Sequence, residues 1–290
     1  MPSTSLPVID LPLVARSHGW FDLPPFEWND EARALSFVAL AGGAPVRVAV
    51  RQTAETLEVS WTGRAKSAAV LSLVRRVLDL DADLAAFHEA CRARADQGFG
   101  WIAERGAGRI LRAPSLFEDA VKVLATTNCT WAATKGMVKN LIALHGNGGA
   151  FPDAGFVAAL PEKRLKDEAR LGYRAPFLAS FAEKVAGRKL DLSRWEDPSR
   201  SAPEVEKEIL AQPGFGPYAA ATLCRLLGKH EKLGLDSWSR RVVVEKRFRG
   251  RKTKDARIEK FYAPFGAHAG LAFWLDVTSD WHENVEQLWP

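Results

Sequence analysis

The stretch Gln212-Pro-Gly-Phe-Gly-Pro-Tyr-Ala219 says most about how this chain folds. It places a Gly-x-Gly turn between two amphipathic segments, so two helices joined by a very short loop are predicted. Pro217 suits the first residue of the second helix. The N–H groups at a helix start attract a phosphate oxygen. The stretch therefore predicts a phosphate-holding hairpin, with an ordinary helix–turn–helix corner as the alternative.

A second informative stretch, Leu235-Asp-Ser-Trp-Ser-Arg-Arg241, follows the hairpin. Asp236 is predicted to be the N-cap of a helix over Ser237–Phe248. Aspartate is a favoured N-cap for purely structural reasons. Its alternative role is that of a carboxylate held at a ligand by a rigid helix end.

The charge of the chain is compatible with nucleic-acid binding. The 290 residues, enough for one large domain or two ordinary ones, carry a net charge of +5 and give a pI of about 9.1. From Arg240 to Lys260 there are ten Lys or Arg residues against three Asp or Glu. Such a run is either a solvated helix face or, beside a phosphate-holding hairpin, part of a DNA-binding surface.

Several classes of protein are excluded by composition. No apolar run reaches the ~18 residues of a transmembrane helix, and the N-terminus lacks a signal-peptide pattern, so an intracellular protein is expected. The three cysteines are scattered and predict no disulfide framework. A cysteine-bound iron–sulfur cluster needs about four thiolates. The six histidines are dispersed, so no zinc site is predicted either.

Hydrophobic periodicity divides the chain in two. Apolar residues alternate between about residues 33 and 61, which predicts antiparallel strands with one buried face. Helical periodicity begins near residue 66, and Ser115-Leu-Phe-Glu118 predicts a capping box. We predict an α+β fold: a small N-terminal antiparallel β-sheet domain with helices (residues 1–110), then an all-helical domain (111–290) that contains the hairpin at about 204–228.

Four blocks, taken in order, resemble the helix-hairpin-helix (HhH-GPD) superfamily of DNA glycosylases. They are Leu111–Gly146, Leu171-Gly-Tyr-Arg174, Leu210–Ala221 and Leu235-Asp236. Within the superfamily the blocks resemble 8-oxoguanine DNA glycosylase and bacterial 3-methyladenine DNA glycosylase II. The resemblance implies a base-excision repair enzyme whose partner is double-stranded DNA with a damaged base. We expect a monomer that acts in the cytoplasm at the nucleoid, if the source is bacterial.

The resemblance also assigns roles to individual residues. Asp236 becomes the catalytic carboxylate, which stabilises positive charge on the deoxyribose as the base leaves and orients or deprotonates the attacking water. Asn128 and Tyr173 become the side chains that fill the gap left by the flipped base, although Asn128 could instead cap a helix and Tyr173 could pack in the core. Arg174 would hold the partner base or a phosphate. The remaining DNA-binding residues are Gly214, Phe215, Gly216, Arg240 and Arg241.

Departures from the family pattern bear on mechanism and substrate. Bifunctional members carry a Schiff-base lysine where this chain has Tyr218, so a monofunctional enzyme without AP-lyase activity is predicted. The family's lesion-contacting glutamine is replaced by Phe273. The predicted base pocket consists of Tyr218, Trp238, Phe273 and Trp274, unless these aromatic residues belong to the core.

An aromatic pocket favours an alkylated purine, because such rings are electron-poor and positively charged. An oxidised purine, another modified base, or a non-catalytic DNA-lesion-binding protein are the alternatives. No metal or organic cofactor is predicted. The resemblance leaves open a monovalent cation between the hairpin carbonyls and a phosphate.

Overall fold

The computed structural model describes residues 2–282 and contains an antiparallel sheet near the N-terminus followed by helices. The predicted α+β fold class is confirmed. The five strands, in the order β1-β5-β4-β3-β2 across the sheet, are β1 (Ser3–Pro7), β2 (Glu27–Asn29), β3 (Ala34–Ala41), β4 (Ala44–Gln52) and β5 (Thr56–Thr62). No helix within residues 2–282 is both long and apolar enough to cross a membrane.

The helices occupy most of the remaining chain. They are α1 (Leu11–Ala15), α2 (Ser67–Val77), α3 (Ala85–Arg92), α4 (Gly100–Glu104), α5 (Leu116–Thr126), α6 (Trp131–His145), α7 (Ala154–Ala159), α8 (Glu162–Asp167), α9 (Ala175–Ala186), α10 (Ser193–Glu196), α11 (Ala202–Leu210), α12 (Pro217–Leu226), α13 (Ser237–Phe248), α14 (Asp255–Tyr262) and α15 (Ala269–Val277). Short 3-10 turns lie at Gly19–Asp22, Ala95–Gln97, Gly172–Arg174, Ala263–His268 and Ser279–His282.

The alternating pattern of the N-terminal segment produces one buried face of the sheet. Val48 pairs with Phe37 on β3 and with Trp61 on β5, and Val50 pairs with Val59. All five side chains are buried. Because side chains alternate between faces along a strand, the intervening arginines and glutamates lie on the other face.

The fold divides into two compact units, and neither is continuous in sequence. The first takes in the chain up to Asp81, Ile110–Glu196 and Gln212–Gly214; the second takes in Ala82–Arg109, Asp197–Ala211 and the chain from Phe215 onwards. This partition differs from the division at residue 110 that we predicted from the sequence.

Helix α5 runs through the core of the first unit. Ser115 caps it by accepting a hydrogen bond from the Glu118 amide at 3.2 Å. The Glu118 side chain forms a buried ion pair with Lys122 at 2.6 Å, so it does not complete the predicted capping box. Burial raises the pKa of Glu118, and Lys122 opposes that shift. The start of the helix was therefore predicted correctly, but the role of the glutamate was not.

A buried carboxylate fixes α13 against α15 in the second unit. Asp276 of α15 accepts hydrogen bonds from Arg247 at 2.5 and 2.6 Å and from the Tyr262 hydroxyl at 2.5 Å. Burial, followed by the charge of Asp276, raises the pKa of Tyr262. The C-terminal half of α13 is thereby anchored, which sets the position of its N-terminus.

Candidate functional site

The hairpin loop lies between α11 and α12, as the Gly-x-Gly pattern predicted. Gly214 has φ +87°, a conformation that side chains rarely adopt. A Cβ at Gly214 would lie 2.8 Å from a ring carbon of Phe177 on α9. Glycine is therefore required at this position by both the backbone and the packing.

At Gly216, in contrast to Gly214, neither the backbone conformation nor the packing requires glycine. Its φ of −85° is open to any residue, and a Cβ there would meet nothing within 4 Å. The main chain at Gly216 is thus exposed beside the first N–H groups of α12, which lack partners inside the helix. Phe215 between the glycines is buried, so only its backbone lies at the turn. The loop retains the geometry of an anion-binding helix start.

Asp236 caps α13, as predicted. Its Oδ1 accepts hydrogen bonds from the amide of Ser239 at 2.7 Å and from its hydroxyl at 2.6 Å. The Asp236 amide donates to the same hydroxyl at 3.0 Å. No hydrogen bond from residues 2–282 reaches Oδ2, and the side chain is partly exposed. One carboxylate oxygen is therefore held in place and the other is available to a ligand.

The loop that leads to Asp236 is fixed by close backbone approaches. The Gly270 amide on α15 donates to the His230 carbonyl at 2.6 Å, and a Cβ at Gly270 would overlap the carbonyl oxygen of Lys232. Gly234 has φ +68°, and a Cβ there would lie 3.1 Å from Arg225 Nη2. Two glycines thus allow this loop to pack tightly against α15 and α12.

Arg225 is a buried cation beneath this loop. It is 2% exposed, its Nη2 donates to the Leu233 carbonyl at 2.6 Å, and its guanidinium lies 4.6 Å from the centre of the Trp274 ring. Burial lowers the pKa of Arg225 to about 10, while electrostatic interactions with Tyr218, Asp236 and Cys224 oppose the shift. The side chain remains cationic at neutral pH.

Three tryptophans cluster beside the start of α13. The ring centres of Trp238 and Trp274 are 6.4 Å apart, and Trp281 lies 5.6 Å from Trp238 and 5.7 Å from Trp274. Trp238 and Trp274 are partly exposed, and so is Tyr218 in the first turn of α12. These three predicted pocket residues therefore have surface that a ligand can contact.

Phe273 requires a correction. Its side chain is fully buried and packs edge-on against Tyr262, with ring centres 5.3 Å apart. It belongs to the core between α14 and α15 and does not line a pocket. Adjacent residues point in different directions on a helix, so Phe273 faces the core while Trp274 is partly exposed. The sequence of α15 is almost entirely apolar and did not indicate which of the two is buried.

Asn128 and Tyr173 lie together in the first unit. Asn128, with φ +47°, forms the turn between α5 and α6, and its side-chain amide lies 3.5 Å from the Tyr173 hydroxyl. Thr130, rather than Asn128, caps α6, and Tyr173 is 51% exposed. The structural alternative for Tyr173, packing in the core, is therefore wrong, whereas Asn128 lies in the left-handed position directly after the C-cap of α5.

Arg174 also requires a correction. It is 6% exposed, and its guanidinium donates to the carbonyl and the hydroxyl of Thr127. It lies 4.5 Å from the centre of the Tyr173 ring. Arg174 supports the turn that carries Asn128, and its buried position does not suit direct contact with a base or phosphate.

The two arginines predicted to bind DNA on α13 differ in their environments. Arg240 forms a two-point ion pair with Asp255, at 2.8 and 2.9 Å, whereas Arg241 is exposed. Arg240 must break or share its bonds to contact a phosphate. Arg241 is the better placed of the two for that role.

Sequence reasoning overlooked Arg225 and Trp281. The signal for Arg225 was its position as the one charged residue of Ala219–Leu226, an otherwise nearly apolar helical run. A cation in such a run is either at the helix edge or buried with a specific set of contacts. Trp281 lies near the end of the described chain and carried no comparable signal.

No family model and no curated protein matches the chain. Solved structures do match it over nearly its whole length. MBOgg1 in complex with a low-affinity DNA ligand gives a TM-score of 0.76 at 19% identity, covering 98% of this chain and 100% of its own.

Two other matching structures come from named organisms. Clostridium acetobutylicum 8-oxoguanine glycosylase/lyase in complex with dsDNA gives a TM-score of 0.72 at 16% identity, covering 98% of this chain and 99% of its own. Archaeoglobus fulgidus 3-methyladenine DNA-glycosylase gives 0.74 at 16% identity, covering 97% and 99%. The predicted resemblance is confirmed at the level of fold: this chain shares its fold with solved 8-oxoguanine and 3-methyladenine DNA glycosylases.

Proposed function

We propose that this protein is a DNA N-glycosylase of base excision repair, which binds double-stranded DNA containing a damaged base. The observation that carries the proposal is Asp236: a carboxylate fixed at a helix N-terminus through one oxygen, with the other oxygen unbonded by residues 2–282, in a fold shared with DNA glycosylases. In a bacterial cell such an enzyme would act at the nucleoid, in the cytoplasm.

The proposed reaction breaks the bond between C1′ of the deoxyribose and the base nitrogen. The bonding electrons leave with the base, and positive charge develops on the sugar. The Asp236 carboxylate stabilises that charge more strongly than it stabilises the neutral ground state. Water then attacks C1′ and gives up a proton, for which Asp236 is the acceptor. The product is an abasic site.

DNA binding is assigned to two sets of residues. Around Gly214–Gly216, the exposed main chain and the start of α12 would hold a backbone phosphate, assisted by Arg241 and, after release from Asp255, by Arg240. Asn128 and Tyr173 would fill the space left by the extruded nucleotide, since both are exposed and in contact. Arg174 would act by supporting their turn.

We further propose that the enzyme has no AP-lyase activity. A lyase of this fold needs an amine that forms a Schiff base with C1′, and the corresponding position is Tyr218 in the first turn of α12. A phenol cannot form that adduct. Water is therefore the proposed nucleophile.

Alkylated purines are the first candidate for the excised base. Trp238, Trp274 and Tyr218 offer aromatic surface in the same unit as Asp236, and stacking on such surface suits electron-poor rings. A second candidate, an oxidised purine or another uncharged modified base, is favoured by the guanidinium of Arg225 on Trp274, because that contact adds a positive charge beside the pocket.

The test is a panel of duplexes, each with one defined modified base, scored for abasic sites with the wild-type protein and with Asp236→Asn. Release of at least one base by the wild type only supports the proposal. Tight binding without release of any base would instead indicate a non-catalytic lesion-binding protein.

A further inference from the structure

Arg225 holds an unusual position in the second unit: a fully buried guanidinium between an aromatic ring and a backbone carbonyl. It lies over Trp274 at 4.6 Å and donates to the Leu233 carbonyl at 2.6 Å. Gly234, whose positive φ and missing Cβ let the loop reach Nη2, adapts the backbone to this side chain. A buried cation with contacts of this kind is costly to maintain, which favours a function that requires its charge.

The charge acts on the same ring to which the base-pocket role is assigned. A cation over an aromatic face is attracted by the negative face of the ring. A second cation brought to Trp274 would gain less, because the guanidinium repels it across the ring. A stacked base would lie within about 10 Å of the guanidinium, a distance at which charges still interact in a poorly solvated site.

Within residues 2–282, two polar atoms on α12 are left without a hydrogen bond. Thr222 Oγ1 and Arg225 Nε are buried and have no hydrogen-bond partner among the described residues. They lie three residues apart and hence on one face of the helix. A buried donor without an acceptor costs about 1–3 kcal/mol. The unpaired Nε therefore adds to the cost of keeping this guanidinium buried.

We infer that Arg225 is a specificity-determining residue, whose buried charge biases the base pocket towards uncharged bases and against cationic ones. This inference rests on the proposed function, because it requires that the extruded base be received at Trp274. Among alkylated purines it distinguishes uncharged adducts, such as 1,N6-ethenoadenine, from cationic ones, such as 7-methylguanine. For cationic alkylated purines it reverses the order of candidates that the aromatic surface alone supports, and it places uncharged oxidised purines ahead of them.

The experiment compares single-turnover release of 7-methylguanine and 1,N6-ethenoadenine from otherwise identical duplexes. The variants are Arg225→Gln, which keeps a donor for Leu233 but removes the charge, Arg225→Lys, which keeps the charge, and Arg225→Met, a neutral substitute should the glutamine variant fail to fold. Leu226→Ala is the control for damage to α12. The measured quantity is the ratio of the two rate constants for each variant, divided by the same ratio for the wild type. The first ratio removes any general loss of activity, and the division by the wild-type ratio removes the intrinsic difference in leaving ability between the two bases.

We expect the ratio of cationic to uncharged release to rise at least about tenfold, equivalent to ~1.4 kcal/mol, in the neutral variants. It should stay within about threefold of wild type in Arg225→Lys and Leu226→Ala. An unchanged ratio in the neutral variants, or an equal rise in Arg225→Lys, would overturn the inference while leaving the glycosylase assignment intact. Failure of the wild type to release any base of the wider panel would overturn both.

Discussion

Oδ1 of Asp236 accepts two hydrogen bonds from Ser239, one from its amide and one from its hydroxyl. The pair closes the first turn of α13 and holds the carboxylate in one orientation. The helix cap and the proposed catalytic anion are therefore the same group, and the structural role of Asp236 is compatible with the proposed one. The two roles separate on mutation, because asparagine caps a helix about as well as aspartate but carries no charge.

Asp236→Asn should reduce base release by at least about a hundredfold, the loss typical when a group that stabilises developing charge is removed. Duplex affinity should be unchanged or higher, since one negative charge near DNA is removed. Single-turnover release and fluorescence anisotropy on the same duplex measure the two effects. Ser239→Ala serves as the matched control: it keeps the amide bond to Oδ1 and should cost less. Wild-type rates in the asparagine variant would show that the catalytic acid is another residue.

Tyr218 leads to a prediction about the product. Sodium borohydride should trap no covalent complex between the wild-type protein and an abasic duplex, because no Schiff base forms without an amine at C1′. Strand cleavage should appear only after hot alkali. The measurement is a denaturing gel with and without borohydride, with Tyr218→Phe included to test whether the hydroxyl matters. A borohydride-stable adduct in the wild type would mean that a lysine elsewhere in the chain supplies the amine.

Tyr173→Ala should slow base release about tenfold by removing the side chain that we propose fills the gap, because base extrusion costs a few kcal/mol. The effect should be smaller when the damaged base sits in a mismatch, where less stacking and pairing is given up. Val8→Ala is the control variant, because Val8 is also exposed, at 44%, and is not among the residues assigned to DNA binding. Equal slowing in matched and mismatched duplexes would indicate that Tyr173 acts in a step other than extrusion.

Local signals accounted for most of the helical architecture. Pro217 and Asp236 gave the starts of α12 and α13 because a proline at the first turn and an aspartate cap act within a few residues. The alternation from about residue 33 to 61 gave β3, β4 and β5. Strand β1 escaped prediction, since it forms only by pairing with β5, which lies far along the chain. Its sequence, Ser3–Pro7, contains little that marks a strand.

The candidate site was predicted only in part, because local patterns do not show where side chains point or which distant residues they contact. Asp236, Asn128 and Tyr173, which stay proposed site residues, lie at turns and helix ends, where motifs place them. Phe273 and Arg174 were assigned to surfaces and lie buried, since a motif gives the position of a residue along the chain but not the direction of its side chain. Arg225 depends on contacts with α15 and with the loop before α13, which no local pattern contains.

Salt dependence of binding should distinguish Arg241 from Arg240. Arg241→Gln should lower the slope of log affinity against log salt by about 0.9, the change expected when the protein neutralises one phosphate fewer. Arg240→Gln should change it less, because the guanidinium already pairs with Asp255 at 2.8 and 2.9 Å. Anisotropy titrations of an undamaged duplex between low and moderate salt measure both. Equal changes in the two variants would show that the Asp255 pair opens when DNA binds.

The buried Glu118–Lys122 pair predicts a non-additive effect on stability. Both side chains are buried, and Lys122 Nζ also lies 4.8 Å from the centre of the Phe26 ring. Removing one partner should cost about 3–5 kcal/mol, because the other charge is left buried, whereas replacing both by apolar residues is often neutral or stabilising. Lys122→Met and Glu118→Leu should therefore each destabilise the protein, and the double variant should recover most of the loss in urea unfolding at neutral pH.

The pH dependence of unfolding provides an independent check on this pair. Burial raises the pKa of Glu118 above its usual value, so the folded protein binds that proton more tightly than the unfolded chain does. The stability that Glu118 contributes is therefore fully present at acidic pH, below the ordinary glutamate pKa, and declines as pH rises through the raised value. In Glu118→Leu/Lys122→Met this component should be absent, so its urea midpoint should fall less than that of the wild type over the same rise in pH. A double variant less stable than either single variant, with the wild-type pH dependence retained, would show that the pair contributes net stability and that other groups titrate.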